Sequence, residues 1–468
     1  MYNGDQEPRA HSQGDVLIKS ELSQLYLPTL GIDKPQEGPN REDGVQANKL
    51  ASQDRAFHDW YRFVLSFPPH LVRSYIQDFG LDHRHAILDP FCGTGTTLVE
   101  SRLCGLRAFG LEVVPFPHFA SSVKVDWSVD PDLLASATRE VARTALEILR
   151  SQGIDDNRPY SQGTEPVPLR TLAPEATQLL ITHSISPLPL HKTLVLLDCL
   201  REHADAPYYR HGLLALGKAL VASIGNLRFG PEVGVGRPKQ DVPVVAAWLS
   251  EIHKMVNDLH LIAGQSYPRS DVYLADARQI TRVLEPGSVD AVITSPPYPN
   301  EKDYSRTTRL ESVVLGFVNS KAELRQFKKQ AVRSITRSVY SDDEDDEWVA
   351  NHTEIQSIAN EIERRRVELG KTSGFEKQYG RVTRLYFGGM ARHLAELRAI
   401  LRAGARLAYV VGDQASYLGV MIRTGQLLAS IAQQLGYELL RIDLFRTRFA
   451  TATKEELREE VVVLRWPG

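Results

Sequence analysis

His85-Ala86-Ile87-Leu88-Asp89-Pro90-Phe91-Cys92-Gly93-Thr94-Gly95-Thr96-Thr97 decides the fold. The short apolar run at its start predicts a buried strand. Gly93 and Gly95 then let the chain turn sharply and bring its backbone against a ligand, where a β-carbon would intervene. The stretch from Thr97 to Leu103 reads as a helix, and Ala108-Phe109-Gly110-Leu111 as a second strand ending at Glu112. Strand, glycine turn, helix, strand, acid is the opening of a doubly wound α/β fold.

Outward from this opening the alternation stops and later resumes. Residues 1–50 are rich in Gly, Pro, Asp, Glu and Gln and read as a flexible arm, with 51–125 as the first half of the core. Residues 126–264 turn helical: Leu133 to Leu149, Thr193 to His203, His211 to Ile224 and Val244 to Leu261 carry 3.6-type apolar spacing. Between the last two, Asn226 to Asp241 is Gly- and Pro-rich and is expected to be irregular. Core strands return in 265–300, a second insertion spans 301–384, and 385–468 closes the core. In that last block Tyr386, Met390, Leu394, Leu397 and Leu401 form an apolar helical stripe, with Gly404 as its expected cap.

The second informative stretch is Thr294-Ser295-Pro296-Pro297-Tyr298, directly after the apolar run Val289 to Ile293. An amine conjugated to a base is a poor nucleophile because its lone pair is delocalised into the ring. Acceptors aimed at its hydrogens, the Ser295 hydroxyl and the Pro296 carbonyl, would draw the nitrogen toward tetrahedral geometry. Proline rings fix φ and hold such acceptors rigid. Tyr298 would stack on a base rotated out of a helix. The plain alternative is a Pro-rich turn closing a strand.

Together the two loops resemble the cofactor loop and catalytic loop of the DNA amino-methyltransferases, in the Ser-Pro-Pro-Tyr variant. The resemblance extends to His58-Asp59-Trp60-Tyr61 through His70 and to the block from Leu385 through Asp413, over half of the chain. It implies a Rossmann-like class I methyltransferase sheet interrupted by a mainly helical insertion and a smaller second one. It also implies S-adenosylmethionine as cofactor: Asp89, Pro90, Phe91, Gly93, Gly95 and Thr96 would hold its methionine end, and Asp276 its adenine amine. Glu112, 17 residues past Gly95 (112 − 95), is placed to accept ribose hydroxyls. An NAD or ATP site is the alternative for the loop, and a structural acid the alternative for Asp276. The chain departs from the family in the 164 residues (276 − 112) between the two acids.

Ser at the head of the tetrad is typical of enzymes acting on cytosine N4, where adenine enzymes carry Asp or Asn. Adenine N6, an RNA substrate and a non-catalytic DNA-binding protein are the alternatives. Double-stranded DNA is the expected partner, with a restriction endonuclease or defence system beside it. The net charge of −3 places any DNA contact on a local basic face. Residues 126–264 carry 13 Lys/Arg against 16 Asp/Glu, whereas 301–340 carry 9 against 4. The second insertion is therefore the expected DNA face, with Arg306 and Arg309 just past the catalytic loop. The six acids Asp342 to Glu347 read as a solvated loop. Three cysteines without ligand spacing argue against a zinc site or disulfides, and the absence of a long apolar segment or a leader pattern predicts a cytoplasmic protein.

Overall fold

The computed structural model describes residues 50–62, 66–157, 168–229, 233–300, 302–450 and 455–468. The expected flexible arm, except for Leu50, lies outside the described residues. Nine strands are seen among them: β1 (Ala86–Asp89), β2 (Arg107–Glu112), β3 (Leu227–Phe229), β4 (Val233–Val235), β5 (Ser270–Leu274), β6 (Val289–Thr294), β7 (Leu401–Gly412), β8 (Glu438–Ala450) and β9 (Glu455–Arg465). Seven build one sheet in the order β5-β2-β1-β6-β7-β9-β8. The strands from β5 to β7 are parallel, and β9 runs antiparallel to both β7 and β8. This is the α/β sheet that the opening motif predicts.

Both faces of the sheet are covered, and the period of two shows in what each strand contributes. Ile87, Ala291, Ile293, Ala408, Val410, Val461 and Val463 pack with Leu71, Val72 and Tyr75 of the helix Pro69–Asp78. Their neighbours Leu88, Val292, Leu407, Tyr409, Val411, Val462 and Leu464 pack on the opposite side with the helices Tyr379–Leu397 and Thr424–Gln434. The helices between β2 and β5 share a third apolar cluster with Phe57, Trp60 and Tyr61. Pro69, Pro115, Pro131 and Pro187 each open a helix, where the missing N–H costs no bond. No helix of the described residues is long and apolar enough to cross a membrane.

The strand order also says where a ligand can sit. From β1 the chain moves outward through β2 to β5, then crosses to β6 on the other side of β1. The reversal point is therefore between β1 and β6, and a crevice forms outside the carboxyl ends of strands at such a point. The glycine turn leaves β1 there, and Ser295 to Tyr298 leave β6 there.

Three local expectations are corrected. The stretch 226–241 contains a hairpin: β3 and β4 pair antiparallel, Leu227 opposite Val235, and Lys239 anchors it by donating its backbone N–H to Asn226 at 2.9 Å. Gly404 is not a helix cap. The helix ends at Leu397, β7 begins at Leu401, and Gly404 sits inside the strand at φ 86°, where the pairing with β6 slips. The acidic run is not a free solvated loop. Asp343 and Asp345 are buried against Arg333 and Arg278, and the turn presses on the helix Tyr379–Leu397, where a β-carbon on Gly388 would come within 1.8 Å of the Asp345 carbonyl oxygen. Buried guanidinium partners, distant in sequence, hold what composition alone marks as solvated.

Candidate active site

Asp89 ends β1 and is fully buried. Its Oδ1 accepts the Thr294 hydroxyl at 2.6 Å and the Phe91 N–H at 3.1 Å. Thr97 donates to the Ile293 carbonyl at 3.1 Å. Two side-chain bonds thus tie the glycine turn to the end of β6. Burial pushes the Asp89 carboxyl up to about 6, against the hydrogen bonds from Thr294, Thr97 and Phe91. Its Oδ2 is buried, with Thr97 as the neighbouring hydroxyl and no well-formed hydrogen bond among the described residues.

The turn itself depends on its glycines. Gly93 and Gly95 have φ of 52° and 81°. A β-carbon on Gly95 would lie 3.0 Å from Cβ of Ser121, whereas one on Gly93 would meet nothing within 4 Å. Behind the loop the buried Lys124 donates to the Thr94 carbonyl at 2.8 Å, and burial draws this amine down to about 7.

A cavity of about 320 Å³ opens where the loops meet. Pro90, Phe91, Gly93 and Thr96 line one side; Glu112 and Asp276 line it from β2 and from the turn after β5. Ser295, Pro296, Pro297 and Tyr298 line it from β6. The structure thus brings the sequence-predicted residues of both loops to one cavity. Asp89 and Gly95 stand just behind the wall, shaping it from within. Ser66 and Phe67, from the stretch between His58 and His70 that shares in the resemblance, border the same space.

Burial, opposed by the N–H groups of Val114, Val113 and Gly93, brings the Glu112 carboxyl up to about 7. Its Oε1 accepts from Val114 at 2.8 Å. Asp276 is differently engaged: its carboxylate accepts from the Arg278 backbone and, through both oxygens, from that guanidinium at 2.8 to 3.2 Å. Arg278 continues to Asp345 and to the carbonyls of Lys329 and Gln330. Tyr298 receives the Tyr304 hydroxyl on its backbone side, with Tyr298 N–H donating at 3.1 Å, and burial raises its phenol well above the usual range.

Arg306 and Arg309 lie outside the cavity lining. Arg306 is exposed, whereas Arg309 turns inward to Ser305 and to the Leu179 carbonyl. Sequence reasoning missed the tie made by Thr97 and Thr294, the lysine behind the loop, and Arg446 and Glu459, which line the cavity from β8 and β9. Thr294 adjoins a recognised motif and was within reach. The others carry no local pattern, because they reach the site through sheet pairing and packing.

Sheet, switch point and cavity define a doubly wound α/β protein with a mostly parallel seven-stranded sheet and a ligand crevice at its reversal point. No protein-family profile matches the chain. It is similar to the type II methyltransferase M.BsoBI of Geobacillus stearothermophilus, with 26% identity over 98% of this chain and 94% of that protein. It is also similar to the type II methyltransferase M.AvaI of Nostoc sp. and of Anabaena variabilis, 25% identical over 90% of this chain and 88% of theirs. The solved structure of TrmN from Thermus thermophilus aligns with 88% of this chain and 53% of its own at 11% identity, with a TM-score of 0.28, too low to bear on the fold.

Proposed function

We propose that the protein is a DNA methyltransferase that modifies an exocyclic amine, the N4 of cytosine, with S-adenosylmethionine as donor. The observation that carries this reading is the convergence of the glycine turn and Ser295-Pro296-Pro297-Tyr298 on one cavity at the sheet's reversal point. The type II methyltransferase relatives, matched nearly end to end, support it.

The residues present fit the cofactor. Gly93 lines the cavity with open space where a β-carbon would be, and Glu112 holds a half-buried carboxylate in the same wall. Gly93, Thr96, Pro90 and Phe91 would hold the methionine end, with Asp89 and Gly95 shaping the loop behind them. Glu112 would accept ribose hydroxyls, and Asp276 would face the adenine amine while Arg278 fixes its position. Bound S-adenosylmethionine supplies an electrophilic sulfonium methyl group.

The protein's own contribution is to prepare the amine. Ser295 Oγ and the Pro296 carbonyl accept its hydrogens and localise its lone pair, while Pro297 restricts the loop. Tyr298 offers a stacking face to an extruded base. Ser at position 295 favours cytosine over adenine. DNA is assigned to the second insertion, 301–384, with Arg306 toward phosphates and Arg309 in a supporting position. A cognate restriction endonuclease belongs to the same proposal, on the type II designation of the relatives.

Mass spectrometry of nucleosides from a host expressing the protein tests the reading. 4-Methylcytosine is the expected product. 6-Methyladenine would move the target base, methylated RNA alone would change the polymer, and no product from either would leave a non-catalytic protein.

A further inference from the structure

Gly412, Glu459 and Arg446 form one cross-strand row: Gly412 pairs with Glu459 across β7 and β9, and Glu459 with Arg446 across β9 and β8. The register slips between Leu444 and Arg446, which makes Phe445 the extra residue of a bulge. Bulges re-aim side chains next to active sites. Here the consecutive residues Phe445 and Arg446 both border the cavity, although strand neighbours ordinarily point to opposite faces.

The row carries a fixed guanidinium. Arg446 donates from Nε and Nη2 to the two oxygens of Glu459 at 2.6 and 2.9 Å, and the paired side chains are 20% and 11% exposed. Tyr298 packs over the glycine of the row, since a β-carbon on Gly412 would approach its Cε2 to 3.1 Å. The ring proposed to stack on the base and the clamped guanidinium therefore share one wall.

Resting on the methyltransferase reading above, we propose that Arg446, oriented by Glu459, selects cytosine as the target by donating to the ring edge beside its amine. Cytosine presents two acceptors there, N3 and O2. Adenine presents N1 and then a C–H. Glu459 takes the Nε edge, so the donor pair that would match the first edge is the outer one, an N–H from each of Nη1 and Nη2, and it leaves a desolvated donor unmatched on the second. Glu459 holds the plane of the fork, so a flexible lysine would not replace it. Arg446 is thus assigned to substrate contact and Glu459 to positioning.

The test uses the full chain and a duplex bearing the position that the wild-type protein modifies in host DNA, mapped by sequencing. A second duplex carries adenine at that position. Arg446→Gln should lower kcat/KM on the cytosine duplex by about 10- to 100-fold and narrow the cytosine-to-adenine ratio by a similar factor. Glu459→Gln should shift the same ratio by less. S-adenosylmethionine binding, measured by calorimetry, should be unchanged in both and confirms that each is folded. An unaltered ratio in both variants overturns the inference, as does an equal loss on both duplexes, which would mark a phosphate contact. Wild-type protein making only 6-methyladenine overturns the assignment of Arg446 but leaves amine methylation standing. Wild-type protein making no methylated base removes the reading beneath it as well.

Discussion

Ser295 and Glu112 stand on two walls of one cavity, and the proposal gives them separable roles. Ser295→Ala should reduce turnover by about 10²-fold, the scale of losing one aimed polar contact to the reacting group. Tyr298→Ala should remove about 1–3 kcal/mol of stacking. Neither should weaken cofactor binding, which calorimetry would report. Glu112 behaves oppositely. Burial has brought its carboxyl to about 7, and hydroxyl donors would favour the ionised form. Cofactor affinity should therefore rise as the pH passes upward through about 7, with proton release on binding, and Glu112→Gln should abolish that dependence. Equal pH profiles in the two proteins would remove Glu112 from the site.

Among the elements, the turn after β5 is joined to the second insertion by one side chain. Arg278 holds Asp276 on the cavity side and Asp345 in the acidic run, together with two carbonyls of the segment between them in space. Arg278→Ala would take the guanidinium from Asp276 and leave Asp345 with only Arg392, at 3.3 Å, and should cost about 3–5 kcal/mol, measurable by urea unfolding. A change near zero would mean that water reaches both acids. This link also marks the limit of what the sequence discloses. The order from β1 to β2, the glycine turn and the loop after β6 are local patterns, and Ile87 or Val292 advertise their burial in the letters around them. Helix ends were legible to within a few residues, as at Val244–Leu261. The roles of Arg278, Arg446 and Lys124 were not legible, because each depends on partners brought near only by folding. Gly404 misled for a related reason: the same φ preference serves a helix end and a slipped strand.

For the molecule as a whole, several buried carboxyls titrate late. Burial, the largest cause in each, raises Asp89 and Asp258 to about 6, Glu112 to about 7 and Glu311 to about 8. In the unfolded chain such groups release their protons near 4. Between about pH 4 and about pH 8 these four acids therefore contribute stability that falls as the pH rises, whereas the histidines that burial lowers, among them His58, His211 and His393, contribute the opposite slope below about 6.5. Groups held low, such as Glu100 and Asp303, lose their contribution only on the acid side of it. Calorimetry should show the wild-type Tm falling relative to that of a Glu112→Gln/Glu311→Gln double variant between about pH 5.5 and about pH 8, and a constant difference would show that these two acids are hydrated in solution. Saturating cofactor should flatten the slope in part, by ionising Glu112.

The acidic run and a neighbouring aspartate already neutralise much of the basic insertion: Lys328 faces Asp303, Lys329 faces Asp342 and Arg333 faces Asp343. A cation already matched by its own chain neutralises no phosphate and so releases none of the cations condensed on the duplex. Duplex affinity should then decline only gently with added salt, with a log–log gradient worth about one or two phosphates and about one less in Arg306→Glu. A gradient worth about six or more would mean that these carboxylates swing aside on contact, and that grip on the duplex is purchased by breaking a bond within the protein.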